Sequence, residues 1–167
     1  MPTLAVLSDT HVPSRARAVP DWVLEAVREA DHTVHAGDFD AATSLSTIRE
    51  AAASLTAVRG NTDPPSLDLP RVDSVTVGGR TVVVTHGDGP RYNYAERVAE
   101  TVRDEAGPDA VGVAGHTHEP TDRTVEGVRL LNPGSATGAA PAREATMFEV
   151  VVEDGDVTAY LERGERV

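Results

Sequence analysis

The chain has 167 residues, of which 27 are acidic and 15 are basic, and its formal net charge is −12. This length suits one domain with a substantial core, so we predict a single domain over residues 1–167. The chain has no cysteine, which excludes disulfides and thiolate metal sites. The negative charge argues against broad, non-specific binding of nucleic acid, which needs a basic surface.

The charged residues are also unusual in type, because every basic residue is an arginine. An acid excess keeps a surface hydrated where salt has screened the repulsion between charges. We therefore hypothesise adaptation to a salt-rich, halophilic cytoplasm. The stretch MPTLAVLSDT lacks the basic segment and the cleavage site of a signal peptide, and no apolar run is long enough to span a bilayer. A cytoplasmic location is predicted.

The first third of the chain alternates between strand and helix patterns. Strands are predicted over 3–7, 32–38 and 55–61, where short apolar runs end in polar or glycine residues. Helices are predicted over 21–30 and 40–53, where apolar residues recur at helical spacing. This strand–helix–strand order predicts a parallel sheet.

The rest of the chain contains more strands than helices. The stretch VDSVTVGGRTVVVTHG (72–87) predicts two strands joined at Gly78-Gly79. A helix is predicted over 92–106 and an apolar strand over 109–118. Further short strands are predicted near 122–126, 128–132, 145–152 and 157–162. The predicted fold class is α/β, with two mixed β-sheets packed face to face and flanked by helices.

Metal-binding residue types recur where the predicted strands end. They are Asp9, His11, Asp38, Asn61, His86, His116 and His118. Ligands of open α/β sheets bind at the carboxyl ends of the strands, and four of the six histidines lie at such ends. In an extended chain residues i and i+2 point the same way. Asp9 and His11 are therefore expected to face one site, as are His116 and His118.

The ligand types narrow the choice of cation. Nitrogen and oxygen ligands without sulfur suit Mn, Fe, Ni, Co or Zn better than Ca or Mg. Seven side chains are too many for one tetrahedral ion but suit two ions that share a carboxylate. Two divalent cations beside two aspartates leave a positive site that attracts a phosphate despite the acidic surface.

The ordered stretches SDTH, GDFD, GNTD, THGDG and GHTH resemble the motifs of the calcineurin-like metallophosphoesterases. The stretch GHTHEP…LLNPGS is similar to the small single-domain phosphodiesterase branch. The resemblance implies a four-layer α/β/β/α sandwich and two divalent metal ions, with Mn expected first. By this resemblance the first ion is held by Asp9, His11, Asp38 and His118, and the second by Asp38, Asn61, His86 and His116.

The chain departs from this family pattern at Thr62. Many members have a histidine there, which protonates the leaving group, and threonine is no acid near neutral pH. Losing a general acid costs about 10²–10⁴-fold in rate when the leaving group is poor, and less when it is stable. Asp63 and Asp88 are candidate catalytic residues: Asp63 could orient water or Asn61, and Asp88 could replace the acid if its pKa were raised.

Several residues have both a functional and a structural interpretation. Asp63 and Asp88 also suit ordinary turns. Arg15 and Arg17 follow His11, and either could reach a phosphate or stay solvated; Arg15 and Asn61 are the candidate substrate-binding residues. His32 and His35 are interpreted as packed or supporting histidines instead of ligands.

These features predict a two-metal phosphodiesterase in which a metal-bridging hydroxide attacks phosphorus. The alternatives are a phosphomonoesterase or nucleotide polyphosphate hydrolase, and a non-catalytic scaffold of the same fold. The expected partner is a small phosphoester substrate, with no membrane contact. A homo-oligomer remains open.

Overall fold

The computed structural model describes residues 1–167 and contains ten β-strands and three α-helices. In chain order they are β1 (Thr3–Leu7), α1 (Asp21–Glu29), β2 (His32–His35), α2 (Ala42–Ala51), β3 (Leu55–Ala57), β4 (Val72–Val77), β5 (Arg80–Thr85), α3 (Tyr94–Ala106), β6 (Val111–Val113), β7 (Thr121–Val125), β8 (Val128–Asn132), β9 (Ala145–Glu153) and β10 (Asp156–Gly164). Short 3-10 turns lie at Pro65–Leu67 and Arg91–Asn93. None of the helices is long and apolar enough to cross a bilayer.

The strands form two mixed sheets of five strands each. The first has the order β10-β9-β1-β2-β3, in which β1, β2 and β3 are parallel, β9 is antiparallel to β1, and β10 is antiparallel to β9. The second has the order β4-β5-β6-β8-β7, with β5, β6 and β8 parallel and an antiparallel hairpin at each edge. The parallel strands β1, β2 and β3 are joined by helical crossovers, as parallel pairing requires.

Alternating side chains along the strands build the layers. In β1, Leu4 and Val6 enter the core between the two sheets, whereas Ala5 and Leu7 enter the core under α1 and α2. The second sheet alternates in the same way, with Val83 of β5 facing α3. This period of two is what strand geometry imposes on a sheet buried on both faces. The predicted α/β/β/α sandwich is therefore confirmed.

Each helix covers a sheet with one apolar face. Val23 and Val27 of α1, four residues apart, are fully buried, and so is Val102 of α3. Burying a valine side chain stabilises the fold by roughly 1.5–3 kcal/mol. Gly112 in β6 lets α3 lie close to the sheet, because a Cβ there would stand 2.6 Å from a methyl carbon of Val102. The helices thus fix the strands whose ends carry the candidate ligands.

Three predicted strands extend too far into the loops that follow them. The predicted strands 32–38, 55–61 and 109–118 end at His35, Ala57 and Val113. Beyond these points the backbone turns, and several non-glycine residues adopt left-handed φ angles that cannot continue a ladder. The apolar and glycine residues that suggested longer strands belong to the loops.

The left-handed residues also change the argument from alternation. Asp9 and His11 have φ angles of 53° and 46°, and His116 and His118 have 73° and 62°. These residues are not extended, so the predicted i, i+2 alternation was the wrong reason for their convergence. Non-glycine residues at positive φ are uncommon and store strain, and such positions cluster at functional sites.

Candidate metal centre

Five loops bring polar side chains together at one edge of the sandwich. They follow β1, β2, β3, β5 and β6, at the carboxyl ends of parallel strands. Backbone hydrogen bonds join the loops: Asp9 N–H donates to the Gly37 carbonyl at 2.9 Å, and Gly115 N–H donates to the His86 carbonyl at 3.1 Å. All seven predicted ligand residues meet at this edge.

A first group of ligand atoms comes from Asp9, His11 and His118, all buried. The Nε2 atom of His118 lies 3.3 Å from Oδ1 of Asp9 and 3.3 Å from Nε2 of His11. The remaining pair, His11 Nε2 and Asp9 Oδ1, is 3.8 Å apart. Nitrogen and oxygen ligands about 2.1 Å from one ion stand roughly 3.0–3.5 Å from one another. The spacing suits one cation among the three atoms.

A second group comes from Asp38, His86 and His116. His86 Nε2 lies 3.1 Å from Asp38 Oδ2. Asn61 joins this group, because its Oδ1 lies 2.9 Å from His86 Nε2 and 3.1 Å from His116 Nδ1. Asn61 is exposed and His116 is half-buried, whereas the other five ligand residues are buried. The second group therefore faces the solvent and any incoming substrate.

Asp38 lies between the two groups. Its Oδ2 atom is 3.1 Å from His86 Nε2 and 3.4 Å from His11 Nε2. Its Oδ1 atom accepts the Thr62 N–H at 2.9 Å, which fixes the carboxylate plane. One carboxylate oxygen is thus within reach of both candidate ion positions.

Asp9 provides an independent test of whether a cation fits. Its Oδ2 atom accepts the Ser8 hydroxyl at 2.7 Å and the His116 N–H at 3.0 Å. Its Oδ1 atom is buried and lacks a hydrogen bond of good geometry. A buried carboxylate oxygen left in this way is costly unless a charge compensates it. Because Oδ1 faces the nitrogens of the first group, a cation among them would satisfy it.

Proton affinities in the centre follow from burial and from the paired carboxylates. Burial opposes a charge on His86, but the carboxylates of Asp38 and Asp9 outweigh it and raise its pKa to about 9. Burial likewise opposes a charge on His118, and Asp9 raises its pKa. Burial would raise the pKa of Asp38, yet His86 holds it well below its usual range. A divalent cation must displace these histidine protons when it binds.

The buried histidine ligands are fixed through their second ring nitrogen. His86 and His118 each direct Nδ1 at a backbone carbonyl oxygen, at 2.7 and 2.9 Å. His11 instead directs Nδ1 at the carboxylate of Asp40, at 3.0 and 3.2 Å from its two oxygens. Nε2 of all three rings is thereby turned towards the candidate ions, and a carboxylate partner increases the basicity of a histidine ligand.

Asp40 is a candidate functional residue that sequence reasoning missed. Besides facing His11, its carboxylate accepts the Thr62 hydroxyl at 2.6 Å and the Ser14 hydroxyl. Its φ of 80° shows that the loop is held in a left-handed conformation here. The only signal in the sequence is the second acid of GDFD, which lies at no strand end.

Thr62 and Asp63, which follow Asn61 in the loop after β3, offer no free acid to a leaving group. The backbone N–H and the hydroxyl of Thr62 are both bound to aspartates, as described above. Asp63 is buried, and its carboxylate accepts the backbone N–H groups of Asp38 at 2.9 Å, Asp40 at 2.9 Å and Gly60 at 2.8 Å. These contacts hold two ligand loops together. A catalytic role for Asp63 stays a prediction, and its contacts are those of a positioning residue.

The remaining polar candidates lie outside the ligand groups. Asp88 is half-buried; its carbonyl accepts the Arg97 guanidinium at 2.8 Å, and its carboxylate makes no hydrogen bond. Arg15 is exposed and donates to the Ala140 carbonyl at 2.9 Å. Arg17 is exposed and makes no ion pair or side-chain hydrogen bond. The structure brings none of the three into a hydrogen bond with a candidate ligand.

The two other histidines have packing and supporting contacts, as the sequence indicated. The Nε2 atom of His32 lies 2.8 Å from the Thr56 hydroxyl oxygen. His35 is fully buried; its Nδ1 accepts the Gly37 N–H at 3.0 Å and its Nε2 lies 3.2 Å from the Thr10 hydroxyl. Burial lowers the pKa of His35 to about 3, so this imidazole is neutral. It joins the loops after β1 and β2.

Two glycines lie where any side chain would collide with a ligand carboxylate. A Cβ at Gly60 would stand 2.1 Å from Oδ1 of Asp38, and one at Gly115 would stand 2.4 Å from Oδ2 of Asp9. Real Cβ atoms essentially never approach another atom closer than 3.0 Å. The glycines that precede Asn61 in GNTD and His116 in GHTH therefore have a steric cause.

Comparison with known families matches residues 3–155 to the calcineurin-like phosphoesterase superfamily domain. The chain is 35% identical over 136 residues to a probable metallophosphoesterase of Methanothermobacter thermautotrophicus, covering 80% of this chain and 77% of that protein. It is 33% identical over 135 residues to a probable metallophosphoesterase of Methanocaldococcus jannaschii, covering 80% of this chain and 68% of that protein.

Solved structures are similar over almost the whole chain. Vps29 of Chaetomium thermophilum has a TM-score of 0.81 at 19% identity, covering 98% of this chain and 97% of that one. Thermotoga maritima protein TM1076 has a TM-score of 0.76 at 30% identity, covering 98% of this chain and 100% of that one. Sequence family, fold and ligand groups agree. The chain therefore belongs to the calcineurin-like phosphoesterase superfamily.

Proposed function

We propose that this metallophosphoesterase is a phosphodiesterase that uses two divalent ions, with Mn²⁺ first among the candidates. The observation that carries the proposal is the position of Asp38 Oδ2, within 3.4 Å of one histidine in each ligand group. When bound, two divalent ions lower the pKa of water and stabilise negative charge on phosphate oxygens.

The residues of the chain have distinct roles in this proposal. His11, His86 and His118 present Nε2 in fixed orientations because their Nδ1 atoms are held. Asn61 and His116 lie on the accessible side, where a phosphate would arrive. Buried ligands behind and accessible ligands in front orient a substrate towards one face of the centre.

The lack of an available acid at Thr62 and Asp63 favours diesters with stable leaving groups. The Thr62 hydroxyl donates a hydrogen bond to Asp40, and the Asp63 carboxylate accepts hydrogen bonds from three backbone N–H groups. A leaving group therefore departs without a protonated imidazole from this loop. This limits turnover of poor leaving groups by about 10²–10⁴-fold but matters little for an aryl oxide.

Two alternatives make different predictions. A phosphomonoesterase or nucleotide polyphosphate hydrolase would use the same ligand groups on another substrate. A non-catalytic scaffold is the second alternative, and the fold it would use is that of the Vps29 structures. The complete set of seven ligand residues favours an enzyme, because a non-catalytic scaffold has no need of two ion positions that share a carboxylate.

The test compares bis(p-nitrophenyl) phosphate with p-nitrophenyl phosphate in Mn²⁺ and molar KCl, for the wild type and Asp38→Asn. We expect turnover of the diester to dominate and to fall by at least about 10²-fold in Asp38→Asn, because both ligand groups lose their common oxygen. Bound metal, measured by elemental analysis, falls from about two ions per chain in the same variant. Asp156→Asn, an exposed acid on β10, is the matched control and stays active.

Each outcome assigns the function. Activity confined to the monoester would replace the phosphodiesterase proposal by a phosphomonoesterase. Two bound ions without turnover of either ester would favour the scaffold. Equal activity in Asp38→Asn and the wild type would contradict the assigned centre.

A further inference from the structure

A polar cavity of about 410 Å³ opens beside His118, one of the candidate ligands. Its walls come from residues 117–120 after β6, residues 141–144 before β9, Thr146 on β9, Arg163 on β10, and Arg91 in the short turn before α3. Only one of its eleven lining residues is hydrophobic. A cavity of this size holds a small molecule, and this lining suits a charged one.

The charge of the cavity differs in sign from that of the chain. Arginines 91, 143 and 163 line it against glutamates 119 and 144, in a chain of net charge −12. Arg163 forms an ion pair with Glu144. Arg91 Nη2 lies 4.0 Å from Glu119 Oε2, and both side chains are largely exposed. Arg143 makes neither an ion pair nor a side-chain hydrogen bond, so its guanidinium remains available to a ligand.

The cavity wall is connected directly to the candidate metal centre. His118 directs Nδ1 at the Ala139 carbonyl at 2.9 Å, and Arg15 donates to the Ala140 carbonyl at 2.9 Å. Ala139 and Ala140 lie in the segment that continues into Arg143. This segment is therefore held by hydrogen bonds to a ligand histidine and to the loop after His11. A ligand in the cavity would therefore lie beside the first ligand group and not at a remote surface.

We propose that this cavity binds a second phosphate group carried on one ester arm of the substrate, with Arg143 as its main contact. The inference rests on the proposed phosphodiesterase function and adds a substrate class to it. Guanidinium and phosphate form paired, charge-assisted hydrogen bonds. Hydrolysis adds water across the scissile P–O bond, and the second phosphate leaves unchanged on its arm.

Two probes that differ by one phosphate test the inference. Thymidine 5′-(p-nitrophenyl phosphate) has one phosphodiester, and its 3′-phosphorylated form adds a phosphomonoester to the retained arm. Both release p-nitrophenol on hydrolysis, so the leaving group is the same. We expect kcat/KM to be at least about tenfold higher for the 3′-phosphorylated probe, mainly through a lower KM.

Substitutions assign the preference to the cavity. Arg143→Gln should reduce the ratio of the two kcat/KM values by about fivefold or more, and Glu119→Gln should increase it. Arg49→Gln removes the same charge from the exposed face of α2 and should leave the ratio unchanged. Equal kcat/KM values for both probes in the wild type, or an equal loss of the ratio in Arg49→Gln, would overturn the inference while the proposed function stands.

Failure of the proposed function is distinguishable from failure of the cavity. If the wild type hydrolyses neither probe, calorimetric binding of thymidine 3′,5′-bisphosphate and thymidine 5′-phosphate to the Mn²⁺-loaded protein decides the matter. Tighter binding of the bisphosphate that depends on Arg143 supports the cavity as a phosphate site. Equal affinity for the two nucleotides, or a preference retained in Arg143→Gln, overturns it.

Discussion

At the scale of single residues, the buried histidines of the centre differ in the group that holds the second ring nitrogen, even within the first ligand group. Carbonyl oxygens fix His86 and His118, whereas the Asp40 carboxylate fixes His11. A carboxylate increases the electron density of an imidazole ligand more than a neutral carbonyl does. Asp40 also receives the Thr62 hydroxyl, so the residue that replaces the expected histidine is used to position Asp40.

Replacing Asp40 should therefore weaken the first ion position. We expect Asp40→Ala to lower metal affinity there by about 10–100-fold, with Asp40→Asn in between because its amide oxygen still accepts a hydrogen bond. Calorimetric titration with Mn²⁺ measures this, and circular dichroism of the metal-free variants checks that they fold. Ser14→Ala, which removes one hydrogen bond but leaves the carboxylate, is the control. Unchanged affinity in Asp40→Ala would contradict the assigned role.

At the scale of the elements, the sequence predicts what depends on local pattern. The apolar run of β1 and the helical spacing of apolar residues in α1 predict these two elements, and both are found with those residues buried. The strand predicted over 32–38 was too long, because the chain turns at Asp38, whose N–H donates to the Asp63 carboxylate of another loop. Contacts between loops leave no periodicity in a single sequence.

Site residues follow the same division. The seven candidate ligands could be identified because each follows a strand at a recognisable motif. Asp40 could not, since its importance appears only when His11 is brought to 3.0 Å. The reach of Arg15 towards a phosphate was also beyond sequence reasoning, because its guanidinium is bound to the Ala140 carbonyl of a distant segment.

His35, the last residue of β2, should make the stability of the fold depend on pH. An unfolded His35 takes up a proton near pH 6.5, whereas burial lowers its pKa in the fold to about 3. Below pH 6.5, His35 therefore binds a proton in the unfolded chain but not in the fold. As the pH decreases, this residue lowers the free energy of unfolding by at most about 1.4 kcal/mol per pH unit. The pKa values of His86 and His118 are raised in the fold, so their proton uptake stabilises the fold as the pH falls through about 6.5 and opposes the effect of His35. Their contribution is common to the wild type and to a variant at His35.

The His35→Gln variant isolates this contribution. As the pH falls from about 7 to 5, urea unfolding of metal-free protein should show that the wild type loses more stability, or gains less, than the variant. His32→Gln is the comparison, because His32 is only half-buried. Parallel pH dependences of the wild type and His35→Gln would mean that the buried imidazole is not the source.

At the scale of the whole molecule, acidic groups face solvent without matching cations. Only four ion pairs join an arginine to a carboxylate, although the chain has 27 acidic residues. The exposed face of α3 shows the consequence, with Glu96, Glu100 and Asp104 four residues apart. The arginines of this helix do not offset them, because Arg97 donates to loop carbonyls and Arg103 pairs with Glu126.

Salt should therefore stabilise this protein, as the proposed adaptation to a salt-rich cytoplasm requires. The Debye length falls from about 10 Å at 0.1 M to about 3 Å at 1 M, which screens the acidic surface. We expect the melting temperature to rise between 0.1 and 2 M KCl.

In 0.1 M KCl the triple variant Glu96→Gln, Glu100→Gln, Asp104→Asn should be more stable than the wild type by about 0.5–1 kcal/mol, because like charges four residues apart repel. That difference should vanish at 2 M, which separates charge screening from general effects of salt. A melting temperature that is highest at low salt would contradict the adaptation.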